Sequence, residues 1–164
     1  IREIPDFPKT GILFKDITPL LGDAEGFRSA IDSLYEYYVT KDVDAIAGID
    51  ARGFLVAGPL AYLLHKPLIP IRKLGKLPGS TNKESYSLEY GSNTMEIHTD
   101  SMSRGQKILI VDDLLATGGT ITAAIKLVEK TGGEVIGIGV LIELSEIQGR
   151  RNFTGYDIHA LATM

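Results

Sequence analysis

The sequence predicts an α/β fold: a single domain with a mainly parallel sheet flanked by helices. Three observations carry that prediction. Aliphatic runs at 45–49, 68–72, 107–112 and 135–142 read as buried strands, and helical three-and-four spacing appears between several of them. The chain has 164 residues, the length of one compact domain, so 1–164 is taken as one unit. With 44% hydrophobic and 23% charged residues, it has the composition of a chain that buries a core rather than of a disordered one.

The elements follow in order. Residues 1–22 carry Pro5, Pro8, Gly11 and Pro19, and proline's fixed φ and missing N–H oppose a long helix, so the segment reads as an extended arm. Across 23–39, Phe27, Ala30, Ile31, Leu34, Tyr35 and Tyr38 recur on one helix face, with Asp23 as its N-cap. The run 45–49 is a strand that passes through Asp50-Ala51-Arg52-Gly53 into a helix ending at Leu64, where Pro59 is either a kink or a first-turn residue. Residues 68–72 form the next strand, and the polar, glycine- and proline-containing stretch 73–85 reads as a mobile loop. Period-two alternation at 86–90 and 94–99, around Gly91-Ser92-Asn93, predicts a hairpin. Then come a strand at 107–112, a helix marked by Ile121, Ala124, Ile125 and Val128 that stops at Gly132, a strand at 135–142 and a last strand at 156–162.

Composition excludes several function classes. With no cysteine there can be no disulfide, thiolate metal site or cysteine nucleophile, which fits a reducing compartment and points to the cytoplasm. Acidic residues outnumber Lys plus Arg by 21 to 17, and the net charge of −4 opposes a broad grip on nucleic acid or anionic membrane. Any anion has to be bound locally. The longest apolar stretch, 53–64, falls short of the roughly 20 residues of a membrane span and is broken by Pro59. The chain opens on Ile1 instead of Met, so these residues carry no information on a targeting segment.

The most informative segment is Ile110-Val111-Asp112-Asp113-Leu114-Leu115-Ala116-Thr117-Gly118-Gly119-Thr120, where an aliphatic strand hands over to a helix. Ligands of open α/β sheets sit beyond the carboxyl ends of the strands, so chemistry is expected here. Thr117, Gly118, Gly119 and Thr120 give a backbone with little side-chain obstruction, whose N–H groups can converge on a phosphate at the helix N-terminus. Asp112 and Asp113 place two carboxylates close to that anion site, a repulsion that a ligand has to reward. A ribose 5-phosphate does so: its vicinal hydroxyls donate to the carboxylates while its phosphate takes the amides. The segment has neither the G-K-[ST] ending of a Walker loop nor a G-x-G-x-x-G fingerprint, which weakens ATPase and dinucleotide readings.

Residues 111–120 resemble the phosphoribosyl-diphosphate motif of the type I phosphoribosyltransferases. Four further blocks, Phe7-Pro8-x-x-Gly11-Ile12-Leu13-Phe14-Lys15-Asp16, Asp50-Ala51-Arg52-Gly53-Phe54, Arg72-Lys73-x-Gly75-Lys76-Leu77-Pro78-Gly79 and Tyr86-Ser87-Leu88-Glu89-Tyr90-Gly91, resemble the adenine phosphoribosyltransferase family and extend the likeness over most of the chain. The resemblance implies the type I phosphoribosyltransferase fold and purine salvage: transfer of the phosphoribosyl group to adenine, giving AMP and pyrophosphate. Another purine such as xanthine, or a silent regulator that binds the same sugar, are the alternatives.

Residue roles follow from both sources. Arg72, Lys73, Lys76 and Lys83 fall within twelve residues free of acids, and fixed cations lower the barrier as charge grows on a departing pyrophosphate. Arg52 adds a planar donor fork. By resemblance Asp50-Ala51-Arg52 is the pyrophosphate loop, with a non-proline cis peptide before Ala51, where the family commonly has Ser. Leu13-Phe14-Lys15 offers an aromatic face and backbone groups to stack on and edge-read a purine. Glu89 and Tyr90 belong, by resemblance, to a lid spanning the loop and hairpin of 73–99, with Glu89 a candidate for the purine proton. Mg²⁺ is expected with the diphosphate and not in a protein-held cage. The family is usually homodimeric. His65, His98 and His159 show no ligand spacing, and the 35–38 cluster reads as a helix face against the core.

Overall fold

A computed structural model of the chain describes residues 1–87 and 92–164. Its N-terminal segment has no long helix, as its prolines require, yet it is more than an extended arm. Strand β1 (Arg2–Ile4) pairs antiparallel with β2 (Phe14–Asp16), Ile4 opposite Phe14. The one-turn helix α1 (Thr18–Leu21) follows, with Pro19 in its first turn and the Asp16 carboxylate accepting from the Thr18 amide and hydroxyl at 2.9 and 2.8 Å.

Helix α2 (Ala24–Tyr38) matches the spacing of its apolar face and buries Ile31, Leu34 and Tyr38. Asp23 occupies the N-cap position without a side-chain capping bond; its carbonyl accepts from Phe27 instead. Then come β3 (Ala45–Ile49), α3 (Arg52–Leu64), β4 (Leu68–Lys73), β5 (Thr81–Ser87), β6 (Ser92–His98), β7 (Lys107–Leu115), α4 (Gly119–Thr131), β8 (Glu134–Glu143) and β9 (Ile158–Thr163). Pro59 sits inside α3, beyond its first turn. Two 3-10 turns, Ser145–Ile147 and Gly149–Phe153, stand where sequence reasoning expected only a basic turn.

The main sheet runs β5-β6-β4-β3-β7-β8-β9, parallel from β4 to β9, with β6 antiparallel on β4 and β5 antiparallel on β6. The central strands are apolar at successive positions because both sheet faces are covered, the rule for parallel sheets. Alternation persists in what each residue touches. Ala45, Ala47, Ile49, Ile108 and Ile110 pack with Ile121, Ala124 and Val128 of α4. Ile46, Leu109 and Val111 pack with Leu34 and Tyr38 of α2 and Val56 and Leu60 of α3. Among the described residues no helix is long and apolar enough to cross a membrane.

Three strand boundaries also need correction. The stretch 73–85 is not all loop: β5 begins at Thr81, its polar residues held by full pairing to β6 from Thr81 opposite His98 to Ser87 opposite Ser92. Cross-strand pairing overrides the weak strand propensity of Asn82, Lys83 and Glu84. For the same reason Ser92 and Asn93 belong to β6 and not to the turn. Finally, β7 continues past Asp112 to Leu115, because β8 pairs with it as far as Leu115 opposite Glu143. The acidic pair therefore stands on a strand.

Candidate active site

Because Asp112 and Asp113 are carried on a paired strand, both are buried, at 8% and 3% exposure. The Asp113 amide donates to Asp112 Oδ1 at 2.9 Å. Burial pushes the Asp112 carboxyl well above the ordinary carboxylate range, and the neighbouring Asp113 charge adds to the rise. Burial raises Asp113 as well, with the Arg52 guanidinium opposing it. A carboxylate pair this costly to ionise marks a functional site more often than a packing site.

Helix α3 delivers Arg52 and Gly53 to the same place. Arg52 Nε lies 2.9 Å from Asp113 Oδ2, and its guanidinium carbon is 5.0 Å from the centre of the Phe14 ring. Gly53 approaches so closely that a Cβ there would stand 2.8 Å from Asp112 Oδ1 and 3.0 Å from the Val111 carbonyl oxygen. The peptide between Asp50 and Ala51 is cis, in agreement with the expectation drawn from resemblance.

Beyond β7 the chain turns through Ala116, Thr117 and Gly118, and Gly118, with φ of +86°, occupies the N-cap of α4. That left-handed conformation suits glycine. The first amides of α4 have no intrahelical partner, which makes the turn an anion cradle.

A cavity of about 950 Å³ joins this loop to the N-terminal arm. Leu13, Phe14, Lys15 and Arg52 line one part, and Ala116, Thr117, Gly119 and Thr120 another. Phe14 is half-buried, edge-on to Phe7 with ring centres 5.1 Å apart. The Lys15 side chain is buried and ion-paired with Glu3, so it braces the arm; what it can offer a base is its backbone. Among the described residues strand β2 pairs only with β1, and its other edge has no strand beside it.

The basic segment is partly committed. Arg72 Nε lies 3.2 Å from Asp50 Oδ2 and Arg72 Nη1 donates to the Lys76 carbonyl at 3.2 Å, while Lys73 and Lys76 are exposed. Lys83 belongs to β5, opposite Glu96 of β6, which itself stands opposite Arg72 of β4, and the Lys83 carbonyl accepts from Lys130 of α4. Asp50, Ala51, Arg72, Lys73 and Lys76 do not line the cavity; they gather at the carboxyl ends of β3 and β4. Glu89 and Tyr90 lie outside the described residues.

The comparisons with known proteins agree with this geometry. The family model for the phosphoribosyl transferase domain matches residues 21–159. An adenine phosphoribosyltransferase of Halothermothrix orenii is 56% identical over 161 residues, which span 98% of this chain and 95% of the relative. The chain belongs to the adenine phosphoribosyltransferase family. Two solved adenine phosphoribosyltransferases share its fold. That of Thermoanaerobacter pseudethanolicus is 52% identical with a TM-score of 0.97, the match covering 100% of this chain and 95% of the other. That of Saccharomyces cerevisiae, complexed with an imino-altritol 1,6-bisphosphate and adenine, is 36% identical with a TM-score of 0.90, covering 98% and 93%.

For a phosphoribosyltransferase, two features here escaped sequence reasoning. Glu96, only 2% exposed, accepts the Lys76 and Leu77 amides at 3.0 and 2.9 Å on Oε1 and the Thr81 hydroxyl at 3.1 Å on Oε2. It ties down the basic loop, and the Leu77 amide foremost holds its carboxyl below the usual range. In sequence it is one acidic residue between Met95 and Ile97, where alternation reads as an ordinary outward-facing strand position. The second feature is the far wall of the cavity, with Leu144, Glu146 and Ile147, for which no motif signal exists.

Proposed function

We propose that this chain makes AMP from adenine and phosphoribosyl diphosphate, with release of pyrophosphate, as a step of purine salvage. The observation that carries the reading is the cavity joining Phe14 to the 116–120 loop, beside the buried Asp112–Asp113 pair. A sugar phosphate and a flat aromatic base are the two halves that such a site separates and aligns. The complex of the yeast relative with a bisphosphate and adenine supports the same pairing of ligands.

In this reading the amides of 117–120 take the 5-phosphate, with Ala116 at the entry to the turn. Asp112 and Asp113 accept the ribose hydroxyls. Phe14 stacks on the base, while backbone groups of Leu13 and Lys15 pair with its N1 and N6, so a 6-oxo purine would leave buried partners unpaired. Arg52, Arg72, Lys73 and Lys76, with the amide after Asp50–Ala51, receive the diphosphate. The N9–C1 bond forms as the C1–oxygen bond breaks, and pyrophosphate leaves with the electron pair. Fixed cations at that oxygen supply the electrostatic part of catalysis. Glu89 is assigned the proton lost from the imidazole ring and Tyr90 a share in covering an oxocarbenium-like centre from water; the lid is not the whole of 73–99, because Met95 and Ile97 of β6 are buried in the core.

Mg²⁺ belongs to the diphosphate. Among the described residues no cluster of three or more His, Asp or Glu could hold a metal, whereas Asp113 Oδ2, without a hydrogen bond, is a hard oxygen donor of the class Mg²⁺ accepts. The donor set thus fits an ion that keeps its waters and arrives with substrate, and its chemistry is to neutralise charge on the leaving group. The reading includes a homodimer in the cytoplasm.

The test is to incubate the chain with Mg²⁺, phosphoribosyl diphosphate and each purine in turn and to separate the nucleotides by chromatography. AMP from adenine is the expected product. Faster turnover of a 6-oxo purine would overturn the base assignment, and sugar binding without turnover of any purine would replace the enzyme by a silent regulator.

A further inference from the structure

The turn Gly149–Phe153 takes no part in the chemistry above, yet it meets the phosphate loop at three successive residues. Gly149 is buried so tightly against Ala116 that a Cβ on it would stand 1.8 Å from the Ala116 carbonyl oxygen. Asn152 Nδ2 donates to the Thr117 carbonyl at 3.1 Å. The buried Phe153 ring lies under Gly118, where a Cβ would fall 2.6 Å from its Cε2 and Cζ atoms.

These contacts bear on which way the loop's amides face. The two peptide units between Ala116 and Gly118 are trans, and a planar trans peptide carries its C=O and N–H on opposite sides. With the Ala116 and Thr117 oxygens turned toward 149–152, the Thr117 and Gly118 N–H groups turn away from that segment. Nothing in a Thr-Gly-Gly sequence fixes this choice by itself, since glycine rotates freely through the conformations that flip a peptide. A flipped unit would present a carbonyl oxygen to the phosphate and repel it.

We propose that Gly149, Asn152 and Phe153 form a positioning clamp that keeps the phosphate loop in its anion-binding orientation. Asn152 is the positioning residue for the Thr117–Gly118 peptide. The inference rests on the reading of 117–120 as the 5-phosphate cradle. It separates the functions within one segment: Gly149 leaves room for the turn, the Phe153 ring packs against Gly118, and Asn152 selects the turn's hydrogen-bonding face.

Asn152 is exposed, so its replacement leaves the core intact. The test compares the full chain with Asn152→Ala and Asn152→Leu, the second keeping the shape of the side chain without its donor. Calorimetric titration with ribose 5-phosphate probes the phosphate end, and titration with Mg²⁺-pyrophosphate probes the other. Both variants are expected to bind ribose 5-phosphate about fivefold more weakly, the equivalent of one net hydrogen bond of roughly 1 kcal/mol. KM for phosphoribosyl diphosphate should rise in step, with KM for adenine and pyrophosphate affinity unchanged and Tm lowered by only about 2 to 4 °C, the share of one hydrogen bond. Unaltered ribose 5-phosphate affinity in both variants would overturn the clamp, as would an equal loss for pyrophosphate, the mark of general loosening. If the parent chain itself fails to bind ribose 5-phosphate, the cradle reading falls and the clamp with it, an outcome distinct from the other two.

Discussion

Arg52 Nε stands 2.9 Å from Asp113 Oδ2, an ion pair in which the Asp113 side chain is 5% exposed and the Arg52 side chain 39%. Its geometry is not that of a hydrogen bond, and neither Asp113 Oδ2 nor Arg52 Nη1 has a hydrogen-bond partner. Buried polar atoms are almost always satisfied, so this pair is built to be completed by a ligand. In the proposed reading a ribose hydroxyl donates to the Asp113 carboxylate and a diphosphate oxygen accepts from Arg52 Nη1.

Replacing Arg52 with Ala tests that coupling. The variant loses a donor aimed at the leaving group, and kcat/KM is expected to fall about a hundredfold. It also removes the cation that opposes the burial-driven rise of Asp113. The Asp113 carboxyl then moves further up, and the acidic limb of the kcat/KM–pH profile should shift to higher pH. A profile displaced in height alone would show that Arg52 does not set the ionisation of Asp113.

Asp112 predicts the opposite trade. Its carboxyl is raised in the folded chain, so its contribution to stability is complete below the unfolded value near 3.9 and is lost as pH rises through the folded one. Asp112→Asn keeps an oxygen for the Asp113 amide and removes the titration. Thermal melts from pH 4 to pH 8 should therefore show the variant gaining on the parent as pH rises, by about 2 to 4 °C for each kcal/mol. Activity should fall at the same time, through weaker engagement of the sugar. A variant melting below the parent at pH 8 would contradict the strain assigned to this carboxyl.

The pattern of what was legible in the sequence has a physical cause. Strands β3, β7 and β8 are apolar at successive positions because both faces are covered, and helices α2 and α4 keep one apolar stripe, so local composition reports their burial. The phosphate loop was legible because Asp112, Asp113 and the Thr117–Gly118–Gly119–Thr120 backbone make opposing demands within one short segment. Strand β5 was not, since what makes Thr81 to Ser87 a strand is pairing to β6 and packing on α4, where Asn82 bonds Thr131 and Glu84 meets Lys126. Arg52 with Asp113, Glu96 with the Lys76 and Leu77 amides, and Asn152 with Thr117 are likewise contacts between distant segments, and no local pattern encodes them.

Gly53 offers a test of close approach. Its Cα lies against Asp112, so Gly53→Ala has to push the start of α3 away from the end of β7. The neighbours there are backbone and a buried carboxylate, which yield less than a flexible side-chain tip. Overpacking of this kind costs about 1 to 3 kcal/mol, although alanine by itself favours a helix. Urea unfolding should show a lower midpoint with an unchanged m-value. A variant as stable as the parent would mean that the two elements can separate freely.

Glu96 links the hairpin to the cations of the basic loop. Its two oxygens hold the Lys76 and Leu77 amides and the Thr81 hydroxyl, so the ionised side chain fixes the start of β5 and the backbone that carries Lys76. Glu96→Gln keeps one acceptor oxygen for the two amides and weakens each bond by removing the charge; Glu96→Ala leaves those amides without their acceptor. KM for phosphoribosyl diphosphate is expected to rise severalfold in the first and about tenfold or more in the second, with KM for adenine unchanged. The pH dependence has a definite sign as well. With its carboxyl held low, Glu96 stabilises the fold above its ordinary value of 4.5 and loses that contribution as pH falls through the folded value. Melts of Glu96→Gln should therefore converge on those of the parent in acid and lie below them at pH 7. Equal KM rises for both substrates would reduce Glu96 to a packing role and detach it from the leaving-group side of the site.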